Sequence, residues 1–118
     1  MAKSLNKIQL IGYIGKDPEL KQTPKGKNYA EFPLVTTDGT GDYAHANWHQ
    51  IVLWGKNADA AVKYLVKGAR VYVEGVLDYY EYTKGNAKHR GVKITGFQVI
   101  YLSGGTKPEG GEETEAPW

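Results

Sequence analysis

The chain has 118 residues, with 15 Lys and Arg against 13 Asp and Glu, and no cysteine. This length fits one domain with a single modest core, and the missing cysteine excludes disulfides and thiolate metal sites. No stretch approaches the roughly 18 apolar residues of a membrane span, and the apolar start at 8–14 lacks the length and cleavage site of a signal peptide. We therefore expect a soluble protein of the cytoplasm.

Charge is distributed unevenly along the chain. Residues 1–103 carry a balance of +5, whereas residues 104–118 hold one lysine and four glutamates. A basic body is typical of a protein with a polyanionic partner. The last residues are rich in Gly, Pro, Thr and Glu and contain nothing that could form a core. We expect a folded domain over 1–103 and a short disordered acidic tail over 104–118.

Alternating apolar residues predict three strands in the first half of the chain. They cover residues 7–14, 27–37 and 46–54. A short extended return at 19–23 follows the first strand, and a loop over 38–46 precedes the third. Pro33 cannot donate to a ladder, so the second strand must carry it at an edge or a bulge.

The apolar period changes to that of a helix between residues 57 and 67. Asn57 is the predicted N-cap and Gly68 the predicted C-terminal stop. Two more strands are predicted at 70–82 and 92–102.

Gly75 marks a bulge or bend in the fourth strand, and residues 83–91 form the tip of a hairpin. Five strands with one short helix between the third and fourth are typical of the OB fold, an all-β Greek-key barrel.

Trp48 and Trp54 lie six positions apart in the predicted strand 46–54. Side chains on a strand alternate between faces, so the two indoles share one face, while Ile51 and Leu53 share the other and face the core. One interpretation is a strand buried on both faces, with both tryptophans in the core. The other is a surface on which flat ligands stack, and nucleobases are the commonest flat ligands.

The available nucleophiles and metal ligands argue against an enzyme. Ser4 and Ser103 are the only serines, and both lie at the ends of the predicted domain. His45 and His49 are about 13 Å apart in an extended segment, too far to share a metal ion. We expect no catalytic residues, no metal site and no cofactor.

Most rings of this chain carry a polar group, since nine tyrosines and three tryptophans stand against two phenylalanines. Such rings suit a half-exposed surface. Tyr80 and Tyr82 share a face of the fourth strand, which Tyr72 joins if the bulge leaves the alternation intact, and Tyr43 stands alone in the loop before the tryptophans. Rings and cations together predict binding of single-stranded nucleic acid, because every base has a π-face and every nucleotide a phosphate. The cations predicted to contribute lie in or beside turns and strand ends: Lys7, Lys21, Lys27, Lys56, Lys67, Arg70 and Lys84, with Lys25, Lys88 and Arg90 nearby.

Several segments, in the same order, resemble the bacterial-type single-stranded DNA-binding protein family over about residues 4–103. They are residues 6–12, 15–19, 48–56, 64–68 and 71–75. The resemblance implies an OB fold, a homotetramer, and bases stacked on Trp48, Trp54 and Tyr82. It also implies a role in DNA replication, recombination or repair, in the bacterial nucleoid or in the host cell for a phage-encoded member.

The resemblance extends to an interface residue and to the tail. His49 matches a position that contributes to the family's tetramer interface. The family's tail ends in an acidic cluster and an aromatic residue, matched here by Glu112, Glu113, Glu115, Pro117 and Trp118. A ring displayed beside negative charge forms a docking peptide for a basic, apolar-lined pocket of replication or repair proteins; the alternative is an inert tail. The loop 38–47 is shorter than in the family and lacks its tryptophan.

Two other functions remain open from the residues alone. One is RNA binding, since residues 67–73 loosely resemble an RRM signature, although only one of the two helices of such a domain is visible. The other is a nucleic-acid-free assembly module that buries Trp48 and Trp54 at subunit contacts. Quenching of tryptophan fluorescence by oligo-dT, absent in the assembly module, would separate it from a single-strand binder.

Overall fold

Six strands form a sheet that closes on itself in the computed structural model, which describes residues 3–104. The strands are β1 (Ile8–Ile14), β2 (Glu19–Gln22), β3 (Asn28–Asp38), β4 (His45–Trp54), β5 (Arg70–Lys84) and β6 (Ala87–Ser103). Their order is β1-β5-β6-β4-β3-β2, and β1 also pairs with β3. Every pairing is antiparallel except that of β4 with β6, which is parallel. Helix α1 (Lys56–Tyr64) joins β4 to β5, and a short 3-10 turn (Gly41–Tyr43) precedes β4.

The predicted OB barrel is confirmed, with its helix between the third and fourth long strands. The short return predicted at 19–23 is β2, which adds a sixth strand to the five that were expected. The hairpin between β5 and β6 differs more from its prediction. Residues 87–91, predicted as part of its tip, belong to β6, because β5 and β6 stay paired up to the two-residue turn at Gly85 and Asn86.

The prediction that Asn57 caps α1 is wrong. The N-cap is Gly55, two residues earlier, at φ 62°, a left-handed conformation that glycine adopts without a steric penalty. Asn57 instead donates from Nδ2 to the carbonyl of Phe97, 3.4 Å away. The helix also ends before the predicted stop at Gly68, because the backbone of Leu65 is extended and its side chain is fully buried in the core.

The predicted irregularity at Gly75 is present, but the extra residue lies on the opposite strand. Glu74 pairs with Gln98 and Gly75 pairs with Gly96, so Phe97 of β6 is the bulged residue. A Cβ at Gly75 would lie 2.2 Å from the Thr95 carbonyl oxygen, so this close approach requires glycine. Because the bulge is on β6, the alternation of side chains along β5 continues across it.

Pro33 lies where β3 has a strand partner on one side only, in agreement with the prediction. It pairs with Gln50 of β4 on one side. On the other side the β2 pairing ends at Glu31 and the β1 pairing begins at Leu34. The missing N–H of proline therefore interrupts no ladder.

The core fills the barrel with aliphatic side chains from every long strand and closes against α1. Ile51 and Leu53 are both fully buried, which confirms the predicted core face of β4. Phe32 of β3 is the largest fully buried side chain. Each such side chain contributes about 1.5–3 kcal/mol through removal of its apolar surface from water.

Beyond the barrel, the β5–β6 hairpin continues as a two-stranded ribbon, which we call the hairpin arm (residues 78–93). All residues from 78 to 90 are exposed. The ribbon has free edges on both sides, because β1 pairs with β5 only as far as Gly75 and β4 pairs with β6 only from Ile94 to Gly96. The arm is thus accessible from its front, its back and its edges.

Candidate nucleic-acid interface

Trp48 lies on the outer face of β4 with 65% of its surface exposed. Its ring packs over Gly15, where a Cβ would come within 2.6 Å of the indole. Val35 is its cross-strand partner on β3 and also borders Gly15. One face of the indole therefore rests on the barrel, while the other is open to a flat ligand.

Trp54, the last residue of β4, is half-buried. Its ring centroid lies 4.9 Å from that of Tyr29, its cross-strand partner on β3, with the two planes inclined by 33°. Lys27 Nζ lies 5.4 Å from the centroid of the Trp54 ring, a cation–π geometry. Tyr29 thus supports the indole, and Lys27 places a positive charge beside it.

The outer face of β4 is not uniformly open between the two rings. Gln50 is exposed, but Val52 is only 1% exposed, so β4 is covered on both faces at that point. The interpretation that both tryptophans belong to the core is nevertheless wrong, because Trp48 is largely exposed. The two indoles stand at the ends of a segment about 20 Å long.

Tyr80 and Tyr82 lie together on the front of the hairpin arm, with ring centroids 6.0 Å apart. Tyr82 stacks on His89, its cross-strand partner, at 5.3 Å and an interplanar angle of 23°. Tyr80 lies over Gly91, where a Cβ would be 2.4 Å from the ring. Lys93 Nζ is 5.7 Å from the centroid of the Tyr80 ring. These contacts hold both tyrosines against the ribbon.

A groove joins the front of the arm to the outer face of the barrel. It has a volume of about 330 Å³ and is lined by Glu31, Gln50, Tyr80 and Lys93. Residues of β3, β4, β5 and β6 therefore share one surface. We call this the aromatic surface, and its rings are Tyr29, Trp48, Trp54, Tyr80, Tyr82 and His89.

Two of the predicted cations are paired with carboxylates. Lys7 lies 2.6 Å from Glu74, and Lys21 lies 2.6 Å from Glu31. The hydrogen bond to Glu74, reinforced by its charge, raises the pKa of Lys7, and Glu31 raises the pKa of Lys21 in the same way. Their contribution to phosphate binding stays a prediction, and these ammonium groups already have an anionic partner.

The cations of the hairpin arm differ in this respect. They are Lys84, Lys88, Arg90 and Lys93, and none lies within 4 Å of a carboxylate in the part of the chain that the structure describes. Two of them have acidic cross-strand partners, since Glu81 pairs with Arg90 and Asp78 with Lys93, yet neither pair forms an ion pair. Their charges are available to an external anion.

Lys56 and Lys67 lie on either side of the helix, and both are exposed. Lys56 is the first residue of α1, two residues after Trp54. The backbone N–H of Lys67 donates to Asp17 Oδ1 at 2.7 Å, which fixes the turn that carries its side chain. Lys56 is thus close in sequence to the aromatic surface.

Tyr72 and Arg70 are not brought together with the aromatic surface. Tyr72 is half-buried between cross-strand neighbours Ile11 of β1 and Ile100 of β6, and its hydroxyl accepts a hydrogen bond from Gln9 Nε2 at 2.9 Å. Although Tyr72 shares its strand face with Tyr80, eight residues separate them, about 26 Å along an extended strand. Arg70 is half-buried and lies still farther from the arm.

Tyr43 and His49 occupy two different environments. Tyr43 is 86% exposed in the 3-10 turn before β4, so a stacking role there stays a prediction. His49 is half-buried, with Nε2 2.9 Å from Thr36 Oγ1. Its place at a subunit interface stays a prediction.

Several contributors to the aromatic surface were not predicted. Tyr29 and His89 each support a predicted ring, and Gly15 and Gly91 each lie beneath one. A sequence signal existed on the arm, because a two-residue turn at positions 85 and 86 pairs position 82 with 89 by simple counting. No comparable signal linked Gly15 to a tryptophan on another strand.

Other site types find no support among residues 3–104. That part of the chain contains no group of three or more His, Asp or Glu side chains that could hold a metal ion. None of its helices has the length and apolar content required to cross a membrane. The predicted tail residues Glu112, Glu113, Glu115, Pro117 and Trp118 lie outside the described residues.

Comparison with known proteins identifies the family. Residues 5–100 match the model of the single-strand binding protein family. The chain is 37% identical over 125 residues to single-stranded DNA-binding protein 1 of Chlorobaculum tepidum, covering 100% of this chain and 76% of that protein. It is 41% identical over 88 residues to the single-stranded DNA-binding protein of Xanthomonas campestris pv. campestris, covering 70% of this chain and 51% of that protein. A solved complex of Plasmodium falciparum SSB with ssDNA has a TM-score of 0.79 at 34% identity, covering 87% of this chain and 99% of that chain. The chain belongs to the single-strand binding protein family.

Proposed function

We propose that this protein binds single-stranded DNA with little preference for sequence. The aromatic surface carries the proposal, because it presents rings supported from below and open above. Trp48 rests on Gly15 and is 65% exposed, and Tyr82 rests on His89 and is 46% exposed. Such rings accept any base, since stacking does not depend on the hydrogen-bonding edge.

Affinity would come from two sources. Each well-stacked base contributes about 1–3 kcal/mol. Phosphates release their counterions when they meet Lys and Arg, which adds a salt-dependent contribution. The cations of the hairpin arm suit this role, because they can bind a phosphate without first leaving a carboxylate partner.

The relatives support DNA as the ligand. The bacterial relatives are named single-stranded DNA-binding proteins, and the Plasmodium falciparum structure is a complex with ssDNA. By this likeness the chain would protect and present single strands in replication, recombination or repair, in the cytoplasm or nucleoid, as a binder without catalysis.

The proposed assembly is a homotetramer. Ile11 and Ile100 lie on either side of Tyr72 on neighbouring strands, and they are 50% and 36% exposed. An apolar surface of this kind, on a different side of the barrel from β3 and β4, is suited to contact another copy. His49 would contribute to an interface, as its resemblance to the family position implies.

The proposed protein partners are replication or repair proteins that bind the tail. This proposal rests on the sequence alone, namely Pro117 and Trp118 beside Glu112, Glu113 and Glu115. An apolar ring next to negative charge fits a basic, apolar-lined pocket.

Titration with oligo-dT at several salt concentrations tests the function. We expect quenching of tryptophan fluorescence, with an affinity that falls as salt rises, and weaker binding of oligo-rU and of duplex DNA. No quenching and no retention of oligo-dT would instead favour an assembly module. Tighter binding of oligo-rU would favour an RNA-binding protein. Light scattering on the same samples tests the tetramer, and a monomer at tens of micromolar would contradict it.

A further inference from the structure

The back of the hairpin arm carries another exposed ring. Tyr79 pairs with Val92 across the ribbon, and both lie on the side of the ribbon opposite Tyr80 and Tyr82, because alternate residues of a strand point to opposite sides. Tyr79 is 63% exposed and Val92 is 46% exposed. Core packing does not explain this pair, since the core ends at Leu77 and Ile94.

An unpaired cation lies beside this ring. Tyr79, Arg90, Gly91 and Val92 line a shallow cavity of about 170 Å³. Arg90 is the cross-strand partner of Glu81, yet it forms no ion pair with any carboxylate among residues 3–104. A guanidinium offers five N–H donors in a planar fork that suits a phosphate. The cavity thus combines a ring, an apolar floor and an anion-binding group.

The charge of the arm favours a polyanion as the occupant. Residues 78–93 contain four Lys or Arg and two Asp or Glu. Lys88 pairs with Thr83 and lies on the same side of the ribbon as Arg90, so the positive charge on the back extends toward the tip. A basic partner would be repelled from this side of the arm, and a neutral apolar one would leave its cations unpaired.

The back of the arm is also continuous with the aromatic surface. Neighbouring strands lie about 4.8 Å apart, and both edges of the ribbon are free beyond the barrel. A nucleic acid strand stacked on Tyr82 therefore reaches the back by crossing a single strand of protein backbone. His89 on the front and Arg90 on the back are consecutive residues of that strand.

We propose that the back of the arm is a further subsite for single-stranded DNA, in which Tyr79 stacks one base and Arg90 binds an adjoining phosphate. A strand long enough to leave the aromatic surface would fold around the arm and bury this cavity. The inference rests on the proposed function. It assigns to the back of the arm the nucleotides that follow those stacked on Tyr80 and Tyr82.

Oligo-dT of increasing length tests the subsite on the full chain. The reference is the shortest oligonucleotide whose binding is weakened by Tyr82→Ala. Tyr79→Ala should bind this oligonucleotide as tightly as the parent does. For longer oligonucleotides, Tyr79→Ala should weaken binding about five- to tenfold, the lower end of the effect of one stacked base. Tyr79→Phe should restore the affinity, since it keeps the ring. Arg90→Gln should reduce the slope of log affinity against log salt by about one, and only for the long oligonucleotides.

Leu102→Ala is the control, because Leu102 is 40% exposed and precedes Ser103, the cross-strand partner of Arg70, at the end of β6 farthest from the arm. It should not change DNA binding. If Tyr79→Ala bound every length like the parent, the subsite would be wrong. If Tyr79→Ala lowered the mass in light scattering and left DNA binding unchanged, the back of the arm would be a contact between copies. If the parent itself bound no oligonucleotide, the proposed function would fail, and not the subsite alone.

Discussion

The barrel and the hairpin arm hold their rings in different ways. On the barrel, Trp54 packs against Tyr29 and lies next to Leu53, which is fully buried. On the arm, Tyr82 packs against His89 and Tyr80, and all three residues are exposed. Under the proposed function, we therefore expect a ring on the barrel to contribute to folding as well as binding, and a ring on the arm to contribute to binding alone. Binding and stability can be separated experimentally at the arm.

The cations show the same contrast. The three ion pairs among residues 3–104 all lie on the barrel, including Lys7 with Glu74 and Lys21 with Glu31. None of the arm's cations has such a partner within residues 3–104. Lys7, Lys16 and Lys21 therefore neutralise nearby carboxylates on the barrel, whereas the cations of the arm are free to meet an external anion. Counting lysines along the sequence does not reveal this difference.

Gly75→Ala should give the largest effect on stability, because it acts where the arm leaves the barrel. The added Cβ would meet backbone atoms of Thr95 and Gly96, which cannot move as a side chain could. We expect a loss of about 3 kcal/mol in the free energy of unfolding, measured by urea denaturation. Thr83→Ala on the exposed arm is the control and should stay within about 0.5 kcal/mol of the parent. Equal stability of the two variants would show that the junction relaxes freely.

Trp54→Ala and Tyr82→Ala sharpen the comparison of the two regions. Each should weaken oligo-dT binding by about 1–3 kcal/mol, as expected for one stacked base, and Trp48→Ala should behave like Trp54→Ala. Trp54→Ala should also lower stability by about 1 kcal/mol, because it removes the ring pair with Tyr29. Tyr82→Ala should leave the denaturation midpoint unchanged. A Trp54→Ala protein that bound like the parent would contradict the assignment of the aromatic surface.

Gly15→Ala and Gly91→Ala test the glycines beneath the rings. Each methyl group would displace a ring, Trp48 in the first case and Tyr80 in the second. We expect about 1 kcal/mol weaker binding of oligo-dT, the lower limit for one stacked base. In a Tyr80→Ala background, Gly91→Ala should have no further effect on affinity. A full additional loss in that double variant would mean that Gly91 acts on binding by another route.

Lys84→Ala and Lys7→Ala compare an unpaired cation with a paired one. If Lys84 contacts a phosphate, its loss should reduce the slope of log affinity against log salt by about one. Lys7→Ala should change that slope less, because Glu74 already neutralises Lys7. If the two variants had equal slopes, both smaller than that of the parent, DNA would displace the Glu74 carboxylate from Lys7.

The ion pair between Lys7 and Glu74 predicts the smallest effect, which is a change in the free energy of unfolding at high pH. Glu74 raises the pKa of Lys7 in the folded protein above the value of about 10.4 for an unfolded lysine. The stabilisation is fully present below the unfolded value and is lost as the pH rises through the folded value. Urea denaturation at pH 9 and 11 should therefore show a larger decrease for the parent than for Lys7→Met. Identical decreases would mean that the pair contributes nothing to stability.

Local patterns predicted the fold well, since strand alternation and the helical period depend on neighbouring residues. They located the core face of β4 from Ile51 and Leu53 and the irregularity at Gly75. They missed that the extra residue is Phe97 of β6 and not a residue of β5, because the sequence of one strand does not show how its partner strand pairs with it. The contact of Gly15 with Trp48 was missed for the same reason. The pairing of Lys7 with Glu74 likewise depends on two strands far apart in sequence.

The parallel seam between β4 and β6 has a consequence for the order of folding. It consists of three residue pairs, from Ile51 with Ile94 to Leu53 with Gly96, and it joins segments separated by the helix and all of β5. The β5–β6 hairpin, in contrast, closes through a two-residue turn, and such local pairing forms within microseconds. Because distant segments must first lose the entropy of a long loop, we expect the seam to form late. Amide hydrogen exchange during refolding should therefore protect the base of the hairpin before it protects the seam.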